Sequence, residues 1–514
     1  MREKIIFILI LVISLGTILR LYDLGAESIW FDEAGSIDLT MKDLPTLFSK
    51  SYYGPLYFLI LKSWIRIWGI SEFALRTLSV ILGIGSIFSI YKVGKILFNA
   101  KVGLLSAFLL SISPMHIFYS QEIKHYSLLI FLTLLSMFFF IKLFKENHTK
   151  LYIYLSLINI LLVYTFLHSI LIIVSQNVFF FVKSKGTKNR WIVSQFIVLT
   201  FFLLWFVPVL MTSFNEPWIR VSTAWIPKPS LATLIETFRT FSYGGESYGG
   251  NDFHIDLKYL RITNFLFYIF TFLSLLGLCS SLKSSSNIED FPLRKEAVLL
   301  LSIWLFFPLL IIFLFSKLFF PIYVIRYAIL SLPAFLIFTA LGIDRIKMHL
   351  IRRGLVFLIT ILTIYALTVY YGKELKINWR GAISYINENI EDNDIIIVSI
   401  ARQVRVFGYY GKNGLRYQKN GKLDIDEVLK SKLITGGFVY PMGKNKLIGV
   451  NDVEQLAQVI NYRNIIERDI NIWLIITRWV RMDSAEQMKK YMDSLFECKK
   501  YRNYTGLNVY YYKS

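Results

Sequence analysis

Two adjacent carboxylates, Asp32 and Glu33 in the sequence Trp30-Phe-Asp-Glu33, are the sharpest candidates for chemistry in this chain. An apolar run ends about ten residues before them, so they are expected just outside the membrane that such a run predicts. A carboxylate partly removed from water there can have a raised pKa, which suits a general base. The same residues can instead cap a helix, because acids in a first turn complement the helix dipole.

A second polar group lies in the sequences Ser113-Pro-Met-His116 and Tyr119-Ser-Gln-Glu-Ile-Lys-His-Tyr126, a predicted tight outer turn between two spans. Glu122 and His125 are three residues apart, so both can reach one metal ion from a helix. Alternatively, Glu122 caps a helix and the histidines lie at the membrane interface. Lys124 can bind a ligand or serve only as an anchor at the membrane surface.

Arg326 is the third candidate, in the sequence Pro321-Ile-Tyr-Val-Ile-Arg-Tyr327 at the predicted outer end of an apolar run. Its planar guanidinium offers paired donors to phosphate oxygens, although an interfacial anchor is an equal alternative. His168 and His254 also fall on the predicted outer side, where they could serve as ligands or proton carriers. All of these candidates therefore gather just outside the predicted membrane.

The elements that must position these residues are membrane helices. The 514-residue chain is 55% hydrophobic and 18% charged, with a mean hydropathy of +0.52. A single soluble domain is excluded, because such domains average about 25% charged residues. Two cysteines also exclude a disulfide framework and a four-thiolate zinc site. Eleven apolar runs predict spans near residues 5–19, 77–98, 103–119, 126–141, 151–166, 168–182, 192–211, 262–282, 297–316, 325–343 and 354–371.

Basic residues collect in the loops on one side of the predicted spans. With the amino terminus in the cytoplasm, the inner loops hold 19 of the 33 Lys and Arg residues at positions 1–371, but only 6 of the 19 acids. This is the positive-inside pattern, so the net charge of +21 is not a nucleic-acid footprint. The first run could also be a signal peptide, but no small-residue cleavage site follows it.

The outer segments that are too polar to cross lipid define the predicted domains. Residues 1–371 form a transmembrane domain with outer loops at 20–76 and 212–261. An odd number of spans places residues 372–514 outside, as an extracytoplasmic domain. The loop at 212–261 is rich in Gly, Ser, Tyr and Pro, which predicts turns.

Two of these outer segments have a predicted local structure. Residues 55–69 carry Lys62 and Arg66 within an apolar run, which favours a helix lying in the interface over a full span. The tail has the pattern of a small α/β domain, with an amphipathic helix at 484–497 and strands at 394–400, 471–477 and 507–512. It contains no glycine-rich nucleotide or phosphate motif, so nucleotide binding has no support.

Five segments in chain order resemble a known family of membrane enzymes. They are WFDEA in the first outer loop, SEFALR (71–76), SPMHIFYSQEIKHYSLL (113–129), RYAILSLPAFLIFTALGI (326–343) and NWRGAISYINENIEDNDIIIV (378–398). This pattern is similar to the GT-C fold glycosyltransferases, and within them to the protein O-mannosyltransferase and aminoarabinose (lipid A) transferase branch, glycosyltransferase family 39-like. The resemblance implies the GT-C fold, to which the apolar runs add about eleven spans with the amino terminus inside.

The resemblance also implies an activity and roles for residues. It implies an inverting glycosyltransferase whose donor is a polyprenyl phosphate sugar, dolichyl or undecaprenyl, that enters from the bilayer. Asp32 would be the catalytic base, with Glu33 as its neighbour, and Glu122 would be the acid of the second outer loop. Lys124 stands where many relatives have arginine, and with Arg326 it would bind the donor phosphate.

The cofactor requirement stays open at this stage. Glu122, His125 and His254 are candidate ligands of a divalent metal, whereas cationic side chains alone could stabilise the phosphate. The chain has Tyr52-Tyr53-Gly-Pro55 where relatives of the family often have a histidine before the Pro-Leu-Tyr motif. This departure counts against a metal site built on the first outer loop.

The expected partners are the lipid-linked sugar donor, a protein, lipid or glycan acceptor, and membrane lipid, with no nucleic acid. We expect a multi-pass plasma-membrane protein whose catalytic loops and carboxy-terminal domain are extracytoplasmic. One alternative is a transporter or flippase of lipid-linked sugars, which predicts Gly- or Pro-broken helices in mid-membrane and repeated halves, neither of which is clear. Another is a structural scaffold, whose outer acids would be replaceable.

Overall fold

The computed structural model describes residues 2–50, 53–183, 188–215, 226–244, 257–282, 294–400, 403–410, 438–442, 445–462, 470–477 and 482–513. The chain divides into two compact units. Unit 1 comprises Met1–Leu24 and Asp43–Lys373, and unit 2 comprises Gly25–Lys42 and Glu374–Ser514. Residues 25–42 therefore group with the carboxy-terminal part of the chain, whereas the sequence analysis assigns them to the first outer loop of the membrane domain.

The amino-terminal region contributes one helix to each unit before the remaining helices of unit 1 begin. These are α1 (Arg2–Leu21) in unit 1 and α2 (Phe31–Met41) in unit 2. Unit 1 continues with α3 (Leu44–Lys50), α4 (Leu56–Trp68), α5 (Glu72–Leu97), α6 (Ala100–Ile112), α7 (Pro114–Ser120), α8 (Tyr126–Glu146), α9 (Thr149–Val163), α10 (Ile170–Lys183), α11 (Asn189–Asn215), α12 (Leu231–Tyr243), α13 (Leu257–Leu282), α14 (Arg294–Leu318), α15 (Leu332–Arg345) and α16 (His349–Gly372). Short 3-10 helices at Leu167–Ser169 and Ile325–Ser331 precede α10 and α15.

A helix, or a bent pair of helices, lies at each of the eleven predicted spans. Among the described residues, eight helices are long and apolar enough to cross a bilayer, by length and composition. The pair α6 and α7 meets the same test together but is bent by 61°, and Thr149–Val163 and Leu167–Lys183 are shorter apolar helices. The long apolar runs form helices because a helix satisfies every backbone polar group within its own segment.

The helix α4 lies where an interfacial helix is predicted. It has 13 residues, which is shorter than the roughly 17 to 25 residues that a span needs. Its buried residues are Tyr57, Phe58 and Leu61, on one face of the helix, whereas Arg66 near its end is exposed. The helix is thus present, and its location in the interface stays a prediction.

A buried arginine stabilises the break between α6 and α7. Pro114 has no backbone N–H, so the carbonyl of Leu110, four residues earlier, loses its ordinary helical donor. That carbonyl accepts the backbone N–H of Ser113 at 3.4 Å, and the guanidinium of Arg20 adds donors to the carbonyls of Leu110 at 3.1 Å and Ser111 at 2.9 Å. The predicted tight turn at 113–126 therefore contains a short helix, and Arg20 connects it to α1.

Unit 2 is a mixed sheet with helices. Its described strands are β1 (Ile395–Ser399), β2 (Phe438–Met442), β3 (Asn445–Val450), β4 (Ile472–Thr477), β5 (Glu497–Tyr504) and β6 (Leu507–Lys513). They have the spatial order β2-β3-β1-β4-β6-β5, in which β1 is parallel to β3 and β4 and the other pairs are antiparallel. Besides α2, the helices described in this unit are α17 (Trp379–Asn389), α18 (Val404–Tyr410), α19 (Val453–Tyr462) and α20 (Met482–Leu495).

The core of unit 2 is formed by its central strands and two helices. Every residue of β1 and β4 is buried, as expected for strands covered on both faces. Side chains such as Ile448, Leu456 and Met488 pack in the same apolar cluster. The structure thus confirms the predicted fold class, a polytopic helical membrane protein with a small carboxy-terminal α/β domain.

Residues 212–261, which are predicted to form an outer loop of turns, differ from this prediction where the structure describes them. Residues 231–243 form the helix α12, which ends at Gly244 with a left-handed φ of 88°. Turn-forming residues on both sides obscured this helix, although its apolar residues follow a helical period. The turn motif Tyr248-Gly-Gly250 and His254 lie outside the described residues.

Candidate active site

Asp32 and Glu33 lie in the first turn of α2. The helix begins at Phe31, after Trp30, whose backbone is extended. The carboxylate Oε2 of Glu33 accepts the backbone N–H of Trp30 at 3.4 Å, a contact typical of an acid at the third helical position. Glu33 is fully buried and Asp32 is half-buried. The structure therefore gives Glu33 the helix-capping role, and the role of Asp32 as a base stays a prediction.

Lys376 forms a buried ion pair with Glu33. The Nζ atom of Lys376 lies 3.1 Å from Oε2 of Glu33, and the two side chains are 8% and 0% exposed. A carboxylate this deeply buried needs a partner, since an isolated buried charge is strongly unfavourable. The sequence gives no sign of a role for Lys376, because no local spacing relates two residues so far apart in the chain.

The chain before α2 is also bound to the chain before α17. Oε1 of Glu27 accepts the backbone N–H groups of Leu375 and Lys376, the latter at 3.1 Å. The guanidinium of Arg380 donates to the carbonyls of residues 25, 26 and 27 at 2.9, 3.1 and 3.2 Å. Glu27 thus binds the backbone of the segment before α17, and Arg380 binds the backbone of the segment before α2. These hydrogen bonds hold the two segments together.

Two further contacts hold α2 in unit 2. The backbone N–H of Ile29 donates to the hydroxyl of Tyr410 at 2.7 Å, just before the helix. Near its end, Nε of Arg405 lies 3.3 Å from Oδ2 of Asp38 in a partly exposed ion pair. The helix that carries the acid pair is therefore fixed to α18 as well as to the segment around Lys376.

Lys124 in unit 1 lies over the ring of Tyr53. Its Nζ atom is 5.2 Å from the ring centroid, within the range of a cation–π interaction. Gly54, the residue after Tyr53, lies close against the backbone of Tyr164. A Cβ atom at Gly54 would lie 2.0 Å from the carbonyl oxygen of Tyr164. That carbonyl accepts the backbone N–H of Leu56 at 2.9 Å. Only glycine permits this approach of the two segments.

A series of rings continues from Tyr53 to Arg326 within unit 1. The centroid of His125 lies 5.2 Å from that of Tyr53 and 4.8 Å from that of Phe166. The ring of Tyr327 lies 5.0 Å from that of Phe166, and Cζ of Arg326 lies 5.8 Å from the centroid of Tyr327. Lys124 and Arg326 thus lie at the two ends of one aromatic cluster, which the separate sequence motifs do not reveal.

His125 is the titratable group at the middle of this cluster. It is 1% exposed. Burial first, and then the positive charges of Lys124 and Arg326 and the neighbouring His168, hold the pKa of His125 well below its usual range. Its imidazole is therefore neutral at pH 7, so it adds no charge to that of the two cations.

Glu122 lies in the turn between α7 and α8. Its backbone carbonyl accepts the hydroxyl of Ser79 at 2.6 Å and the backbone N–H of Lys124 at 2.8 Å. The preceding Gln121 donates to the backbone carbonyl of Arg20 at 3.0 Å. This turn is therefore fixed to both α5 and α1, and the side chain of Glu122 is 1% exposed.

The candidate metal ligands are divided between described and undescribed residues. In the part of the chain that the structure describes, no three His, Cys, Asp or Glu side chains are grouped so that they could hold a metal ion. Glu122 and His125 lie in one turn, whereas His254 lies outside the described residues. The metal site therefore stays a prediction.

A protein-family model supports the resemblance predicted from the sequence. The model described as dolichyl-phosphate-mannose-protein mannosyltransferase matches residues 52–212. This range includes Tyr53, Glu122, Lys124 and His125, but not Asp32 or Arg326. No curated protein matches the sequence.

Solved structures define the fold. The structure of ArnT from Cupriavidus metallidurans bound to undecaprenyl phosphate is similar with a TM-score of 0.57 and 11% identity, over 98% of this chain and 97% of that chain. The archaeal oligosaccharyltransferase AglB from Archaeoglobus fulgidus, in complex with an inhibitory peptide and a dolichol-phosphate, is similar with a TM-score of 0.52 and 11% identity, over 99% and 74% of the two chains. The chain thus has the GT-C fold of membrane glycosyltransferases, as the sequence predicts.

Proposed function

We propose that the chain is an inverting glycosyltransferase that transfers a sugar from a polyprenyl phosphate donor to an acceptor hydroxyl at the outer face of the membrane. The family-model match over residues 52–212 carries this proposal, because the stretch that it covers contains Lys124 and the rings of Tyr53, His125 and Phe166. The description of that family names a dolichyl phosphate sugar, and the similar ArnT structure holds undecaprenyl phosphate. Both support a polyprenyl phosphate donor.

The proposed reaction is a single displacement at the anomeric carbon of the donor sugar. The acceptor oxygen forms a bond to this carbon while the bond from the carbon to the phosphate oxygen breaks. The electron pair of the broken bond leaves with the lipid phosphate, and the acceptor proton goes to a carboxylate. Attack on the face opposite the leaving group inverts the anomeric configuration, through a transition state of oxocarbenium character.

Asp32 is the base that we assign to this reaction. Its neighbour Glu33 already accepts the N–H of Trp30 and pairs with Lys376, so its carboxylate is committed to holding the helix. Asp32 is half-buried in the same turn. General base catalysis of this kind contributes about 10²- to 10⁴-fold to a rate.

Lys124 and Arg326 are the residues that we assign to the donor phosphate. Each cation lies beside a tyrosine ring within unit 1, and Lys124 is 6% exposed, so its ammonium is held in place before a ligand binds. Fixed positive charge stabilises the negative charge that grows on a leaving phosphate, and one such donor is worth about 3 kcal/mol of barrier. The series of rings between the two cations keeps them in a fixed arrangement.

A divalent metal would be held by Glu122 and His125, with His254 as a third ligand. It would supply the same stabilisation of phosphate charge as the two cations. We therefore expect chelation with EDTA to lower turnover in the wild-type protein if these residues bind a metal. Turnover that is unchanged after chelation and dialysis would assign the phosphate to Lys124 and Arg326 alone.

The test of the proposed function is turnover of a lipid-linked sugar by the purified full-length chain. Short-chain polyprenyl phosphate donors bearing mannose, glucose or aminoarabinose are incubated with a membrane extract as acceptor, and release of polyprenyl phosphate is measured. We expect turnover of at least one donor by the wild type and a loss of about 10²-fold or more in Asp32→Asn. No turnover of any donor, or full turnover in Asp32→Asn, would contradict the proposal.

A transporter or flippase of lipid-linked sugars is the second candidate function. It predicts helices broken in mid-membrane, and the described pair α6 and α7 is broken at Pro114, although the sequence predicts this position at the outer end of its span. Proteoliposomes separate the two functions. Movement of a fluorescent polyprenyl phosphate sugar between leaflets without cleavage of the sugar bond would favour transport.

A further inference from the structure

We propose that Lys376 is a positioning residue for Asp32 and that it acts through Glu33. This inference rests on the proposed function, in which Asp32 is the base. It assigns to the segment that opens the carboxy-terminal domain a direct part in fixing the geometry of the reaction. All of the contacts that carry it lie within unit 2.

One oxygen atom of Glu33 joins Lys376 to the start of the helix that carries Asp32. Oε2 of Glu33 lies 3.1 Å from Nζ of Lys376 and 3.4 Å from the backbone nitrogen of Trp30. The ammonium therefore holds the carboxylate that closes the first turn of α2. Asp32 is part of that turn, so a rotation of the turn moves its carboxylate.

Lys376 is itself held by the surrounding backbone. Its own N–H donates to Oε1 of Glu27 at 3.1 Å, and Leu375 donates to the same oxygen. On the other side, the backbone N–H of Arg380 donates to the hydroxyl of Ser28 at 3.2 Å. Contacts on both sides of Lys376 thus restrict where its ammonium can lie, which is what a positioning role needs.

The burial of this pair separates a positioning role from an ordinary surface ion pair. The Glu33 and Lys376 side chains are 0% and 8% exposed, whereas those of Glu486 and Lys490 in α20 are 65% and 73% exposed. Exposed ion pairs of this kind contribute little to the stability of a protein, because water screens their charges. Displacement of a catalytic group by about 1 Å can lower turnover about 10²-fold.

The experiment compares Lys376→Met, Glu33→Gln and the double variant with wild type, using the full-length protein and the donor that wild type consumes best. We expect each single variant to lower kcat about 10- to 100-fold with the KM for the donor within about twofold of wild type. Because Lys376 acts through Glu33, the double variant is expected to have a kcat no lower than that of the less active single variant. Lys490→Met makes the same substitution in an exposed pair of the same unit and is expected to retain wild-type kcat.

Hydrogen exchange measures the proposed restraint without any catalysis. Amides of residues 31–41 are expected to exchange at least several times faster in Lys376→Met than in wild type, while those of β1 and β4 keep their protection. Unchanged exchange in residues 31–41 would overturn the inference. So would wild-type kcat in Lys376→Met, or a loss of kcat that matches a loss of protection across the whole of unit 2.

The two proposals fail in different ways. If Asp32→Asn keeps full turnover, the assignment of the base is wrong, whatever Lys376→Met does. If Asp32→Asn loses turnover and Lys376→Met does not, the base stands and the positioning role of Lys376 is wrong.

Discussion

Arg20 offers the sharpest test of how the broken pair α6 and α7 is stabilised. Its guanidinium donates to the carbonyls of Gly16, Leu110 and Ser111 at 2.8, 3.1 and 2.9 Å, and to the hydroxyl of Ser120 at 3.3 Å. The side chain is fully buried. Arg20→Met keeps most of the apolar stem and removes every one of these donors.

The expected loss follows from the two carbonyls at the break. The carbonyl of Ser111 would lose its arginine donor in a buried setting, and that of Leu110 would keep only the long contact from the N–H of Ser113 at 3.4 Å. Each such loss costs about 1 to 3 kcal/mol. Removal of a buried charge offsets part of this cost, because the guanidinium no longer has to be desolvated. We therefore expect Arg20→Met to lower the free energy of unfolding by about 2 to 4 kcal/mol.

The measurement is reversible unfolding of the purified protein in detergent micelles, with Arg353→Met as the control. Arg353 is an exposed arginine, the fifth residue of α16. Pro114→Ala added to Arg20→Met supplies a backbone N–H four residues after Leu110, so it is expected to recover part of the loss. A change within about 0.5 kcal/mol of wild type in Arg20→Met would refute the reasoning, since that is the effect of an ordinary surface substitution.

Three further predictions concern separate parts of the molecule. Gly342→Ala is expected to destabilise the protein by more than about 2 kcal/mol, measured as a lower Tm, because its Cβ would lie 1.9 Å from a carbonyl oxygen of α13. Tyr53→Leu is expected to raise the KM for the donor about threefold or more through loss of the cation–π contact of Lys124; Tyr53→Phe, which keeps the ring, should not. Asp394→Ala is expected to lower the free energy of unfolding of unit 2 by about 2 to 4 kcal/mol, because the Asp394 carboxylate accepts the indole N–H of Trp473 at 2.9 Å and the side-chain amide of Asn471 at 3.0 Å. Near-ultraviolet circular dichroism measures this unfolding. A wild-type value in any of these measurements would contradict the corresponding contact.

The apolar spans and three of the six strands that the structure describes could be predicted, because their signals are local. Each of the eleven apolar runs is a continuous stretch whose backbone can be satisfied only within a helix or a closed sheet. The strands at 395–399 and 472–477 were equally visible, since both are unbroken runs of β-branched and other apolar residues. The helix at 231–243 was not predicted, because glycines and prolines flank it on both sides and indicate turns. The helical spacing of its own apolar residues is the signal that would have revealed it.

The arrangement of the candidate site was only partly accessible, because its contacts join distant parts of the sequence. Asp32, Glu33 and Lys124 could be identified as candidates from the sequence, because they are charged residues beside apolar runs. The partner of Glu33, Lys376, has no such signal, since a lysine near the end of a span is ordinary. Tyr53 attracted attention only as a departure from a family pattern, and the structure gives it a contact, the ammonium of Lys124, that composition and spacing do not reveal.

The grouping of residues 25–42 with the carboxy-terminal part of the chain has a consequence for how this protein can be shortened. A chain ending at residue 373 would keep every helix of unit 1 yet lose Lys376, Arg380, Arg405 and Tyr410, the side chains that anchor α2. Asp32 and Glu33 would then lie on a segment that has lost these contacts from the carboxy-terminal residues. Residues 374–514 are thus needed to hold the segment that carries the acid pair, and a shortened chain is expected to lose that arrangement.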